Sequence, residues 1–325
     1  MDIGETLKRL TKIIPVLAGG VLFIGMAQNS RQGAYEAVAR FFPKAMIGAM
    51  CVLIFELLTE GRFIFTHFHD TERFANVSAL NRSVVVIALS GLPAFFMATK
   101  RVERWTLLAL LGIVLALTDS QSVLLGMCIV AIFLRIFPVH RTAAWAALAG
   151  GIGAMIIAAP LLAQFGFKFL AEDMQNVPLM AQAYVGERFE IWDFIARKAL
   201  EKPWLGHGIE AAKMITDFDV AHTYFLHDNV LHPHNFIMQL WLEFGALGAF
   251  YALSVIGLII YRLWGAKDEA PIAVKRNLAL LIGVIFIAAV TYGLWQGWWL
   301  GMFTTVASLC IICHKVQAYA SNDEA

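Results

Sequence analysis

The sequence predicts an all-α fold, a polytopic bundle of membrane-spanning helices, and three observations carry that prediction. Apolar side chains make up 59% of the 325 residues and charged ones only 15%, a balance far too greasy for a soluble domain of this length. The apolar residues fall in runs approaching bilayer length, separated by short polar connections. Lysine and arginine gather in alternate connections, as sidedness requires of a multi-pass chain. Nothing reads as a β-barrel or a cleavable signal peptide.

Nine runs are candidate spans, namely 13–27, 45–58, 83–98, 105–117, 123–137, 143–162, 236–261, 278–292 and 295–312. Several fall short of the ~20 residues that cross a bilayer, so flanking aromatics or tilt must complete them. Three domains follow: N-terminal transmembrane helices over 1–162, an external loop over 163–235 and C-terminal transmembrane helices over 236–325. Lys100-Arg101 with Arg104, Arg135 with Arg141, and Arg262, Lys267, Lys275 and Arg276 mark three connections as cytoplasmic. The segment after Leu58, Thr118–Gln121 as 118–121, and the loop 163–233 then lie outside, and that loop carries more acid than base. The N-terminus breaks the alternation: six spans before an external loop place Met1 outside, whereas Lys8, Arg9 and Lys12 favour inside. Either 13–27 does not cross fully, or helices that normally precede it are absent.

A loop as long as 163–233 carries function more often than not. Within it, 187–200 has helical spacing, with Phe189, Trp192, Ile195, Ala196 and Ala199 on one stripe and Glu190, Asp193, Arg197 and Lys198 largely opposite. Lys202-Pro203 ends that helix, and Pro203-Trp-Leu-Gly206-His-Gly208 reads as a tight turn relieved by two glycines. Arg188 falls in the first turn, where the helix dipole disfavours a cation. Surface pairing with Glu187 and Asp193 is the ordinary reading of it. Asn81-Arg82 open the run 83–98 on the expected outer face. An arginine there snorkels to head groups or, through its planar fork, grips a pyrophosphate.

The loop holds His207, His222, His227, His232 and His234. With Asp228 nearby, His232-Pro-His234 invites a metal reading, but no His-Glu-x-x-His or cysteine-rich zinc spacing exists. All but His234 read as ordinary exposed histidines. His234-Asn235 stand where the loop re-enters an apolar run long enough to cross as one helix, and nine residues later comes Gly245-x-x-Gly248. The histidine is thereby held at the membrane surface, where an ionisable group can meet a polar substrate. The two glycines allow a close helix–helix approach, and Asn235 suits the cap of the following helix. Trp295, Trp298 and Trp299 read as an aromatic belt, with sugar stacking as the alternative. Cys51, Cys128 and Cys310 fall within spans, with Cys313 at the edge of the last, and all four read as small apolar core residues. A net charge of +1 argues against nucleic acid.

The pattern His234-Asn235, nine residues, Gly245-x-x-Gly248 resembles the signature of the O-antigen ligase family of bacterial membrane glycosyltransferases. Arg188-x-x-x-Trp192 followed by Pro203-x-x-Gly206-x-Gly208 resembles the family's upstream pattern, in the same order and at similar spacing, and Asn81-Arg82 match its outward arginine. The resemblance runs mainly from Asn81 to the C-terminus. It departs where the family often shows a Ser-Arg pair, because this chain has Thr118-Asp119-Ser120-Gln121. The resemblance implies a type-C glycosyltransferase fold with a large periplasmic loop, in the inner membrane. It implies transfer of a glycan from undecaprenyl pyrophosphate to an acceptor hydroxyl, on lipid A-core for a ligase or on another lipid-linked glycan for a polymerase. It makes Arg82 and Arg188 the pyrophosphate ligands, His234 the general base, and the reaction independent of metal or other cofactor. A secondary transporter or flippase is the rival from another class. Against it stand the lack of an inverted repeat and of any mid-span carboxylate apart from Glu56, near a helix end.

Overall fold

The computed structural model describes residues 3–63, 80–215, 223–225 and 232–323. Among the described residues the regular structure is helical throughout. Twelve α-helices follow in order, α1 (Ile3–Asn29), α2 (Gln32–Leu58), α3 (Asn81–Met97), α4 (Arg101–Leu117), α5 (Gln121–Ile136), α6 (Thr142–Ile157), α7 (Ala159–Gln175), α8 (Pro178–Gln182), α9 (Val185–Glu201), α10 (Phe236–Gly265), α11 (Pro271–Val290) and α12 (Gly297–Asp323). By length and composition five of the described helices can cross a membrane: Leu10–Asn29 within α1, α2, α10, α11 and Gly297–Ala318 within α12. A sixth arises if the bent pair α6–α7 counts as one span. The chain is therefore an all-α, multi-pass membrane protein. Large apolar side chains at the surface fit this solvent, with Val21 68% and Leu22 70% exposed on α1.

Several expected spans change shape. The run 45–58 belongs to a 27-residue helix that begins at Gln32. Helix α1 supplies enough apolar length for 13–27 to cross. The runs 83–98 and 123–137 form helices of 17 and 16 residues, about 25 Å at 1.5 Å per residue and so shorter than the hydrocarbon layer. The run 143–162 is not one helix. It bends by 76° between α6 and α7. Pro160 explains the break, since it has no N–H for the carbonyl of Ile156 four residues back. That orphaned carbonyl instead accepts the indole N–H of Trp241 at 2.8 Å. The expected aromatic belt is also corrected: Trp299 is completely buried, and Trp295 donates its indole N–H to the buried Glu243. Arg276, expected in a cytoplasmic connection, lies buried within α11. Of the cysteines only Cys313 is buried; Cys51 and Cys128 are exposed on outer helix faces.

The helices form two compact units. One comprises Met1–Ile13 with Ile129–Trp299, and the other Ile14–Cys128 with Leu300–Ala325. In the second, Tyr35 donates to the carbonyl of Ala27 at 3.0 Å, and both pack into a core with Met97, Leu309, Ile312 and Cys313. In the first, α10 is the organising element. One of its ends carries His234 and Asn235. Its other end reaches the 266–270 turn, where Asp268 meets His140 at 3.3 Å and Lys275 donates to the carbonyl of Arg135 at 3.4 Å. Two of the three basic connections thus gather at one end of this unit, about 45 Å of helix from the histidine.

Candidate functional site

Helix α9 brings Arg188 and Trp192 to one face because they stand four residues apart. The indole N–H of Trp192 donates to the carbonyl of Pro233 at 2.8 Å and so holds the His232-Pro-His234 turn against the helix. Phe189 meets Trp192 edge-on at 5.7 Å and covers Gly166 of α7, where a Cβ would lie 2.8 Å from its ring. Asn235 caps α10 as expected, its side chain accepting from the N–H groups of Ile237 and Met238 at 2.9 and 3.1 Å.

His234 itself has φ of 51°, a left-handed conformation that a non-glycine residue adopts at a cost of ~1–2 kcal/mol. Its Nδ1 hydrogen-bonds the carbonyl of Thr291 in the turn after α11. A carbonyl only accepts, so Nδ1 carries the proton and Nε2 carries the lone pair. Burial holds the imidazole pKa down to about 4. Neighbouring His232, whose ring meets it edge-on at 4.2 Å, and Arg188 depress it further, while the Thr291 carbonyl opposes them. Arg188 is half-buried, and desolvation lowers its pKa, opposed by Glu187 and Tyr292. Guanidinium nonetheless stays charged at any working pH. Its expected partner Asp193 pairs elsewhere, with Arg197 at 2.7 Å. The site therefore sets a neutral base beside a fixed cation.

The two glycine patterns turn out to be one device. Helix α10 does not run straight through, because Gly245 has φ of 60° and ψ of −144°. The break releases the carbonyls of Leu242 and Glu243, which accept the N–H groups of His207 and Gly208 at 2.8 and 2.9 Å. In exchange, Ala246 and Leu247 donate to the carbonyls of Pro203 and Trp204 at 2.7 and 3.4 Å. Four backbone groups freed by the kink are thereby satisfied by the 203–208 turn. The backbones approach so closely that a Cβ on Gly206 would lie 2.4 Å from Glu243, and one on Gly245 2.6 Å from Pro203. Gly248 makes room for the carbonyl of Leu240 in its own helix, 2.4 Å from the position a Cβ would take. The expected close approach of two helices at Gly245 and Gly248 is thus replaced by a turn docked into a broken one.

Three buried polar groups escaped the sequence reading. Glu190, expected on the outer face of α9, is fully buried and accepts the N–H groups of Thr223, Tyr224 and Phe225 at 2.7–2.8 Å. Asp193 is buried with it. Glu243 is a fully buried carboxylate inside the 236–261 run, contrary to the expectation that only Glu56 would be one. It accepts from Gln239 at 2.9 Å, and the Gln239 carbonyl oxygen accepts the N–H of Leu294 at 2.8 Å. These bonds fasten the 291–296 turn, and with it the Thr291 carbonyl, to α10. A glutamine and a glutamate four apart in an apolar run were the available signal.

Of the other histidines, His207 and His232 are half-buried rather than exposed. His207 donates from Nε2 to the carbonyl of Lys198 at 2.8 Å, and His232 packs on Gly293. His222, His227 and Asp228 lie outside the described residues. Among the described residues no three His, Cys, Asp or Glu side chains gather into a metal-ion site. Asn81 and Arg82 belong to the second unit. There Arg82 is exposed at the start of α3, and Asn81 accepts from Thr118 at 3.4 Å, which brings the 118–121 turn to the same helix entrance.

The model of the family described as O-antigen ligase matches residues 106–253, a stretch that takes in Arg188, Trp192, the 203–208 turn, His234 and the break at Gly245. A Rickettsia prowazekii protein named "Putative polysaccharide ligase" is 24% identical over 266 residues, covering 78% of this chain and 62% of its own length. A Rickettsia typhi protein of the same name matches to the same extent. One from Rickettsia conorii is 30% identical over 133 residues, 40% of this chain and 32% of its own. The chain thus spans at most about three fifths of the curated relatives it matches. No solved structure matches it.

Proposed function

We propose that this membrane protein, whose residues 106–253 match the O-antigen ligase family model, transfers a glycan from undecaprenyl pyrophosphate to an acceptor hydroxyl on lipid A-core. The observation that carries the proposal is the juxtaposition of a tautomer-fixed, neutral imidazole at His234 with the half-buried guanidinium of Arg188. Nε2 of His234 takes the proton of the acceptor hydroxyl, whose oxygen attacks the anomeric carbon of the donor. The bond from that carbon to the phosphate oxygen breaks, and undecaprenyl pyrophosphate departs with the electron pair. Attack opposite the leaving group inverts the anomeric centre. Arg188 meets the charge growing on the diphosphate, so no metal is called for. Arg82 keeps its assignment to the donor phosphates on the resemblance of Asn81-Arg82 alone. Trp192, Asn235, Gly206, Gly208, Gly245 and Gly248 serve by shaping the turn and the broken helix. The site faces the periplasm and the basic connections the cytoplasm of a bacterial inner membrane, in line with the clustering of His140, Asp268 and Lys275 at the far end of α10.

The test is transfer by purified protein in liposomes from a lipid-pyrophosphate-linked oligosaccharide, with lipid A-core and a second lipid-linked glycan offered as separate acceptors. Glycan on lipid A-core, lost in His234→Ala and Arg188→Ala and unaffected by chelator, is the expected result. Elongation of the lipid-linked glycan alone makes the protein a polymerase. Chelator-sensitive transfer that survives His234→Ala removes the histidine from its role.

A further inference from the structure

Helix α7 is amphipathic the wrong way round for a helix covered by water. Its small residues Ala163, Gly166 and Ala171 are buried, and α9 packs over them, with Phe189 seated on Gly166. Its bulky residues face outward: Leu161 is 64% exposed, Leu162 50%, Phe165 54% and Phe169 54%. At 100° per residue these four fall within one 100° sector, a single continuous stripe. The stripe starts where α6 stops. Ile157, 60% exposed in the last turn of α6, continues it across the 76° bend. Phe165 and Phe169 meet at a 40° tilt with ring centroids 4.8 Å apart, and Lys168 lies 5.0 Å above the Phe169 ring on the flank of the stripe.

A patch of this size in water would be an aggregation hazard. Continuity with α6, a strongly apolar helix of 16 residues, names its occupant instead. We propose that α7 lies in the plane of the membrane surface with the Leu161, Leu162, Phe165 and Phe169 stripe sunk among lipid acyl chains. The 76° bend turns the chain from its course into the bilayer along α6 to a course along the surface. Lys168 then extends to the phosphate level while its stem covers Phe169, the usual habit of a cation at an interface. Exposed Glu172 and Asp173 follow the stripe, so the helix rises out of the apolar layer toward its C-terminal end. Because α9 rests on the opposite face of α7, the depth of the stripe also sets the height of Arg188 and Trp192 above the lipid.

This inference depends on the bilayer and not on glycosyl transfer, so its failure leaves the enzymatic reading untouched. The test uses the full chain in phosphatidylcholine liposomes. Its four native cysteines are replaced by alanine, and a single cysteine at 161, 165, 169 or 173 carries an environment-sensitive dye. Dyes at 161 and 165 should be quenched by nitroxides on the lipid acyl chain and shielded from iodide in water. The dye at 173 should behave in the opposite way, with 169 between. Equal iodide quenching at 165 and 173 overturns the proposal, as does shielding of 165 from both quenchers, which would mean a protein partner. If the cysteine-free background does not fold, a photo-crosslinking phenylalanine analogue at 165 in the otherwise unaltered chain answers the same question. Crosslinks to phospholipid support the proposal, and crosslinks to protein alone overturn it.

Discussion

On the proposed assignment of His234 as the base, burial keeps it ready across neutral and mildly acid pH but intrinsically weak. An exposed imidazole would titrate near its ordinary ~6.5, and activity would fall through that range as pH drops. With the pKa held at about 4, the neutral, proton-accepting form persists across neutral and mildly acid pH. The acid limb of kcat/KM, which reports the unliganded enzyme, should therefore lie near 4 rather than 6.5. A liposome transfer assay from pH 4 to 8 checks this, and a limb above 6 would mean that His234 is solvated or not the base. His234→Ala should lose roughly 10²–10⁴-fold in rate, the usual span for general base catalysis. His232, read from sequence as a bystander, lies against the ring and helps depress its pKa. Its alanine variant should move the acid limb upward. Arg188→Lys should recover only part of what Arg188→Ala loses, since a point charge cannot reproduce a planar fork.

At the level of elements, the broken α10 and the 203–208 turn form one folding unit. Gly206→Ala and Gly245→Ala each place a side chain in the left-handed region and drive it into backbone atoms that cannot yield. Each should cost more than the ~1–2 kcal/mol of the conformation alone. Gly257→Ala, further along the same helix with nothing within 4 Å of the added carbon, should be neutral or gain up to ~1 kcal/mol. Thermal unfolding in detergent separates the two classes, and equal behaviour at 245 and 257 would disprove the docked-turn account. Glu190→Ala should also destabilise. It strips three backbone N–H groups of their acceptor, of which that of Phe225 is buried, and a buried donor left unpaired costs ~1–3 kcal/mol. Glu190→Gln keeps an oxygen acceptor and should recover part of that.

For the whole molecule the prediction concerns sidedness. Cysteine placed at exposed Lys202 should react with an impermeant maleimide from the periplasm, and cysteine at exposed Arg141 or Asp268 only after the cytoplasmic side is opened. The gathering of the 137–141 and 266–270 connections at one end of the first unit makes Arg141 and Asp268 expected to behave alike. Opposite labelling of these two would break the topology, and reaction of position 202 from the cytoplasm would remove the periplasmic site along with it.

Composition and apolar run length were enough to determine the all-α membrane class, because continuous apolar runs, unlike the alternating strands of a barrel, satisfy their backbone in lipid as helices. Short-range pattern was also enough to align Arg188 with Trp192 and to make Asn235 a cap, since both depend on helical spacing alone. What only the tertiary structure decided is how distant segments share hydrogen bonds. The Thr291 carbonyl lies 57 residues beyond His234 in sequence yet determines which of its nitrogens can act. Gly206 and Gly245 read separately as parts of a tight turn and of a helix contact, and their close backbone approach makes them one junction. Glu190 and Glu243 read as surface and went unnoticed, respectively, because a carboxylate can be buried only where donors from elsewhere in the chain converge on it. Helical periodicity carries no information about where those donors come from.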